Sequence, residues 1–203
     1  MKLFYSPGAC SLATHIVLRE LDVPFEMERV DAKTGRTETG ADFRSINPKG
    51  QVAALQLDDG QVLTESAALL QYVGGLKPDA GLVPDDLLAR ARLQEQLNFI
   101  ASELHSAFSP LFNSATSPQN REAAATRIAA KLDHIETLFA DGRSFVLGEA
   151  YSVADAHLFV IAGWAEPTGI GLDRWPRLEA HGARIAGRPA VREAMAAEGL
   201  VAP

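Results

Sequence analysis

KLFYSPGACSLATHIVLRE, residues 2–20, decides the fold. Lys2 to Tyr5 reads as a short buried strand, Ser6-Pro7-Gly8-Ala9 as a turn, and Ser11 onward as a helix whose apolar positions Leu12, Ile16 and Leu21 recur at helical spacing. The chain's one cysteine, Cys10, therefore sits at the mouth of a strand-turn-helix unit. Unpaired amide N–H groups and the positive end of the helix dipole favour negative charge there, so the sequence predicts a thiol that ionises below the ordinary cysteine value. Free cysteine is also among the most buried residue types, and a packing role stands beside the reactive one.

Working outward, Glu26 to Val30 alternates polar and apolar like a half-exposed strand, and strand, helix, strand is a parallel crossover unit. Residues 31–42 read as a surface loop, followed by a short helical turn around Phe43 and a stop at Asn47-Pro48-Lys49-Gly50. Ala53 to Leu57 and Gln61 to Leu63 flank Asp58-Asp59-Gly60, whose Asp-Gly pair signals a hairpin, and Thr64 is the expected cap of a helix running to about Val73. This order predicts a four-stranded mixed sheet with helices on both faces. Gly74 to Asp86 carries the linker composition, which places one domain over 1–77 and a second over 87–203.

The second domain reads as all helix. Leu93, Leu97, Ile100, Leu104, Phe108 and Leu111 step by three and four, describing one long helix that Pro110 bends or ends. Another helix spans about 120–140. Ser152-Val-Ala-Asp155 then reads as a capping box, which gives Asp155 a structural rather than a catalytic role. Two shorter helices, around 177–187 and 190–198, close the chain.

Composition sets limits on function. A formal net charge of -7, from 19 basic and 26 acidic residues with no basic block, argues against nucleic acid as partner. One cysteine forms no internal disulfide and no thiolate metal site, which suits a reducing compartment. With no signal-peptide pattern and no long apolar run, the chain reads as cytoplasmic and without a membrane partner. His15, His134, His157 and His181 are scattered without metal-ligand spacing, so no metal is assigned, and His15 is expected to buttress the Cys10 turn.

Two polar groupings stand out. Glu65 and Ser66 open a helix, where an acid complements the dipole and first-turn amides form an anion site. Asn98, Ser102 and His105 form a polar stripe at i, i+4 and i+7 of the long helix, facing either water or a cleft.

Residues 2–20, NPKGQVAALQLDDG (47–60), LTESAALLQYV (63–73) and LNFIASELHSAFSPLF (97–112) resemble a bacterial beta-class glutathione transferase, and the likeness runs through to the closing EGLVAP. The resemblance implies an α/β thioredoxin-like N-terminal domain plus an all-α C-terminal domain, the glutathione transferase fold, assembled as a homodimer. It also implies glutathione as co-substrate and transfer of its thiolate to small hydrophobic electrophiles, with thiol-disulfide exchange through Cys10 as a further activity. By resemblance Cys10 and His105 are catalytic, the main chain of Val52 pairs with the peptide part of glutathione, and Glu65 and Ser66 hold its γ-glutamyl end. Asn98, Ser102, Glu103 and His105 line the site, part of the stripe serving the partner subunit, and Phe108, Phe112 and Trp164 are candidates for the electrophile pocket. Tyr5 and Ser6 occupy the neighbourhood where other classes place their activating hydroxyl.

Three positions depart from the family: Gly35, flanked by Lys33 and Arg36, stands where a lysine is usual, Ser106 replaces another lysine, and Ala53 replaces a proline. They imply weaker glutathione binding, and a cis bond before a residue other than proline costs about 2.5–4 kcal/mol, so a trans Val52–Ala53 bond is expected. The alternative reading is a noncatalytic protein of the same fold that binds apolar ligands or a protein partner. A third is thiol-disulfide exchange in the manner of a one-cysteine glutaredoxin.

Overall fold

The computed structural model describes residues 1–201; Ala202 and Pro203, which end the quoted closing stretch and the expected second domain, lie outside the described residues. Contacts divide the chain into two units, one of Met1–Val83 with the segment from Gly187 onward, the other of Pro84–Ala186.

The first unit is built on β1 (Lys2–Tyr5), which pairs in parallel with β2 (Glu26–Asp31) and antiparallel with β4 (Ala54–Gln56). β5 (Val62–Thr64) extends the sheet beyond β4 and β3 (Arg36–Thr37) beyond β2, giving the order β3-β2-β1-β4-β5 among the described residues. The fifth strand corrects the four-stranded expectation. A pairing of only Val30 with Thr37 and Asp31 with Arg36 is too short for alternation to reveal. Because side chains alternate across a sheet, Phe4, Val30 and Ala54 share one face with Phe43, whose ring lies 5.6 Å from that of Phe4.

Helix α1 (Ser11–Glu20) follows β1 and packs on α2 (Ser66–Gly74). Thr64 does not cap α2 as expected. It is the last residue of β5, and Glu65 takes the N-cap position at φ 70, ψ 116 without a side-chain cap. A non-glycine residue with positive φ is uncommon, and here it turns the chain directly from strand into helix. Helix α8 (Pro189–Ala197) packs on α1, fastened by the Arg188 guanidinium on Glu20 (Nη2 to Oε2, 2.9 Å).

In the second unit the run 87–112 is helical but not uniform: α3 (Leu87–Asn98) passes into a π-helical segment (Phe99–His105) and then α4 (Ser106–Phe112). The Ser102 hydroxyl donates to the Asn98 carbonyl at 2.8 Å and the Ser106 hydroxyl to the carbonyl of Ser102, backward bonds of the kind that loosen the α ladder. Pro110 lies inside α4, which ends two residues later. α5 (Pro118–Leu138), α6 (Val153–Gly163) and α7 (Pro176–Ala186) complete the unit.

Asp155 is fully buried, and its carboxylate accepts from Val146 N–H (2.7 Å), Ser152 N–H (2.8 Å), Ser152 Oγ (2.9 Å) and His181 Nε2 (2.9 Å). It therefore caps α6 and joins α6 to α7, the structural role read from the sequence. Asp155→Ala orphans several buried donors at once and is expected to destabilise the protein by about 3–5 kcal/mol in urea unfolding.

His157, on α6, is wholly buried with neither ring nitrogen hydrogen-bonded, and burial, with a smaller contribution from His105, holds its pKa down from 6.5 to about 3. The unfolded chain takes up this proton below about pH 6.5 while the folded chain does not until about pH 3. Stability present above pH 6.5 is thus lost as pH falls, at up to about 1.4 kcal/mol per pH unit for one proton. His157→Leu is expected to flatten that part of the pH-stability profile.

Candidate active site

Cys10 occupies the N-cap position of α1 with the backbone already helical, at φ -56, ψ -21. The preceding turn is closed by Ala9 N–H on the Ser6 carbonyl (3.0 Å), and the Ser11 hydroxyl donates to that same carbonyl (3.3 Å). Cys10 is buried, and its Sγ donates to the Val52 carbonyl at 3.4 Å. Burial pushes the thiol above the ordinary cysteine value; the Ser66 hydroxyl and the backbone N–H groups of Ala53, Cys10 and Ser11 pull the other way without cancelling it. This corrects the expectation of an acidic thiol: the helix entrance is where the sequence puts it, but loss of water outweighs the dipole.

Val52 precedes a cis peptide bond to Ala53, which corrects the expected trans bond. The chain is fixed on both sides, by Asn47 Nδ2 on the Gln51 carbonyl (2.7 Å) and by the ladder pairs of Ala54 with Phe4 and Thr64. Glu65 and Ser66 lie at the start of α2, Ser66 buried and Glu65 exposed. The Glu65 carboxylate is ion-paired with Lys49, whose Nζ also donates to Thr64 Oγ1 at 3.0 Å. Cys10, Val52 and Ser66 thus converge on one sulfur, with Glu65 next in the chain to Ser66.

The other expected residues share the helical run of the second unit. Asn98, Ser102 and Glu103 are exposed, and Glu103 is ion-paired with Lys131 of α5. His105 is half-buried against Trp164 in an edge-to-face contact at 4.8 Å, and Trp164 meets Phe108 (5.8 Å) and Phe112 (5.1 Å) in the same manner. An aromatic wall therefore stands beside the histidine. Of the activating hydroxyls used elsewhere, Ser6 Oγ is committed to the Val30 carbonyl (2.6 Å), and burial holds the Tyr5 phenol above its usual value.

The glutathione S-transferase N-terminal domain family matches residues 8–75, and the C-terminal domain family matches residues 118–197. Glutathione S-transferase GstA of Escherichia coli O157:H7 is 41% identical over 98% of this chain and 100% of its own. The chain belongs to the glutathione S-transferase family. Among solved structures, a sphingomonad glutathione S-transferase complexed with glutathione superimposes with a TM-score of 0.95 at 47% identity, covering 99% of this chain and 100% of that one. The bacterial beta-class enzyme of Sphingomonas chungbukensis gives 0.96 at 47% identity with the same coverage. The transferase is of the bacterial beta class, and the expected fold of a thioredoxin-like domain plus a helical domain is the fold observed.

Sequence reasoning missed one residue of this transferase that acts on the cysteine turn. The buried Glu198 accepts from Gly8 N–H at 2.9 Å and from His15 Nδ1 at 2.9 Å, while Arg19 Nε donates to His15 Nε2 at 3.0 Å. His15 does buttress the turn, but through a glutamate 183 residues away, and only the acidic residue before the closing glycine marked it. Among the described residues no group of three or more His, Cys, Asp or Glu side chains is arranged to hold a metal, and no helix is long and apolar enough to cross a membrane.

The ligand-free protein is expected to react with iodoacetamide at Cys10 with a midpoint above the ordinary thiol value of about 8.5. Ser66→Ala removes a donor that favours the thiolate and moves the midpoint further up. A midpoint at or below the free-thiol value contradicts this account.

Proposed function

We propose that this enzyme conjugates glutathione to small apolar electrophiles, with Cys10 acting as a hydrogen-bond donor to the glutathione sulfur. The observation that carries this reading is the buried Cys10 thiol, aimed at the Val52 carbonyl and flanked by Ser66 at the start of α2. A thiol held protonated is a donor, and a donor lowers the pKa of the thiol it faces. The γ-glutamyl carboxylate goes to the Ser66 hydroxyl and the first-turn amides of α2, where anions are favoured. The ammonium takes the place of Lys49 on Glu65, and the cysteinyl backbone pairs with the main chain of Val52 as an added strand does.

In the reaction the glutathione thiolate forms the new S–C bond while the carbon-halogen bond of a substrate such as 1-chloro-2,4-dinitrobenzene breaks and chloride leaves. His105 donates a hydrogen bond to the thiolate, and Phe108, Phe112 and Trp164 form the apolar wall against which the electrophile lies. Cys10 also forms a mixed disulfide with glutathione disulfide, releasing glutathione. The enzyme works as a homodimer in the cytoplasm, with Ser102 lining the glutathione site and part of the stripe, Asn98 and Glu103, serving the partner's site.

Conjugation of 1-chloro-2,4-dinitrobenzene and retention on glutathione resin test the reading. Cys10→Ser, whose hydroxyl still donates, is expected to keep most conjugation and lose disulfide exchange entirely. Glu65→Gln is expected to raise the glutathione KM about tenfold or more, the worth of a charge-assisted hydrogen bond. A well-folded protein that neither conjugates nor binds the resin is instead the noncatalytic alternative, and a monomer by sedimentation at micromolar concentration removes the roles of Asn98 and Glu103.

A further inference from the structure

The carboxylate assigned above to the ligand's ammonium is paired with a cation of the chain itself. Lys49 is ion-paired with Glu65, and its Nζ also donates to Thr64 Oγ1 at 3.0 Å. Among the described residues no other charged side chain is paired with Glu65. Backbone sets both ends of the contact. In the loop of Lys49 the buried Asn47 accepts through Oδ1 from Lys49 N–H (3.2 Å) and through its carbonyl from Gly50 N–H (2.8 Å), while its Nδ2 donates to the Gln51 carbonyl (2.7 Å). Glu65, at φ 70, is held by its carbonyl, which accepts from Ala68 N–H (3.0 Å) and Leu69 N–H (2.9 Å). Lys49 lies three residues before Val52 and Glu65 directly before Ser66, so the pair spans the two segments that frame the Cys10 sulfur.

This ion pair is not needed to join those segments. β4 and β5 already do so through the pairing of Ala54 with Thr64. The carboxylates of the pairs that fasten strands and helices are nearly enclosed, Glu28 with Lys2 at 7% exposure and Glu20 with Arg188 at 13%, whereas the Lys49 and Glu65 side chains are 52% and 69% exposed. An ion pair so open to water contributes little to stability and exchanges partners readily. A second cation brought to the same carboxylate repels the first at close range, and the long lysine side chain returns to water at small cost.

We infer that Lys49 is a specificity-determining residue that competes with the α-ammonium of the γ-glutamyl group for Glu65, so that the enzyme also accepts thiol peptides lacking that ammonium. This inference rests on the glutathione reading given above. Glutathione exchanges one cation for another on Glu65 and gains only the difference between the two contacts. A peptide without the amino group leaves Lys49 in place, and Glu65 stays neutralised while the carboxylate and the cysteinyl main chain of the peptide bind as before.

The test compares glutathione with glutaryl-cysteinyl-glycine, which lacks only the α-amino group, using 1-chloro-2,4-dinitrobenzene as electrophile. The native enzyme is expected to conjugate both, with a KM for the glutaryl peptide about tenfold above that for glutathione, the same charge-assisted contact that Glu65→Gln removes. Lys49→Met is expected to lower the glutathione KM about two- to fivefold, the worth of an exposed ion pair, and to leave the glutaryl peptide's KM unchanged. Lys49→Arg, which keeps the cation, is expected to keep the native ratio of the two. In the Glu65→Gln background Lys49→Met is expected to change neither value, a dependence that loss of packing does not reproduce. An unchanged or raised glutathione KM in Lys49→Met, a fall that persists in the Glu65→Gln background, or a native enzyme inert toward the glutaryl peptide overturns the inference while leaving glutathione as co-substrate. Absence of conjugation with glutathione itself overturns both.

Discussion

Strand β1 is hydrogen-bonded along both edges, to β2 on one side and β4 on the other, and the rest of the first unit is hung on that position. A strand so enclosed fixes where the chain leaves it. Its C-terminal end delivers the turn at Ser6–Ala9 and the helix entrance at Cys10, while pairing with β4 brings the segment just before Ala54 to the same end of the sheet. Cys10 Sγ meets the Val52 carbonyl at 3.4 Å because two neighbours of one strand end together, although 42 residues separate them. β5 then continues into α2, so Ser66 reaches the same sulfur. The site is a consequence of strand order before it is a property of any side chain.

Burial is the second constraint, and it works against the first impression of the sequence. A cysteine at a helix entrance gains from nearby donors, and the Ser66 hydroxyl and the backbone N–H groups of Ala53, Cys10 and Ser11 do favour the thiolate of Cys10. They are outweighed because the sulfur has lost its water. A protonated Cys10 suits an enzyme that spends another molecule's thiolate, since a donor is then always in place and no like charge stands beside the incoming sulfur.

The sequence was legible where a local pattern had a local cause. The strand-turn-helix at 2–20, the Asp-Gly hairpin, the capping box at Ser152 and Asp155, and the long helical run all appear where the residues indicated. What escaped had a distant cause or almost no periodicity. The two-residue β3 shows no alternation, and the π segment at Phe99–His105 leaves Ile100, Leu104 and Phe108 at a four-residue spacing that an ordinary helix also shows. Glu65 in place of Thr64 at the start of α2 follows from a positive φ, which no propensity announces for a glutamate. The rise of the Cys10 pKa needed the burial of the finished fold.

The buried carboxylate of Glu198 ties the order of synthesis to the chemistry. The amide of Gly8 and the ring of His15 wait for an acceptor that lies 190 and 183 residues further along the chain, and the Arg188 clamp on Glu20 spans 168. A nascent chain can pair β1 with β2 and β4 long before that helix exists, so the sheet stands while its cysteine turn still lacks that acceptor. Contacts of such long separation form late because the intervening loop must first be closed. The local bonds of the turn, Ala9 N–H and Ser11 Oγ on the Ser6 carbonyl, need nothing from far along the chain, whereas its fastening to Glu198 is among the last contacts to become available.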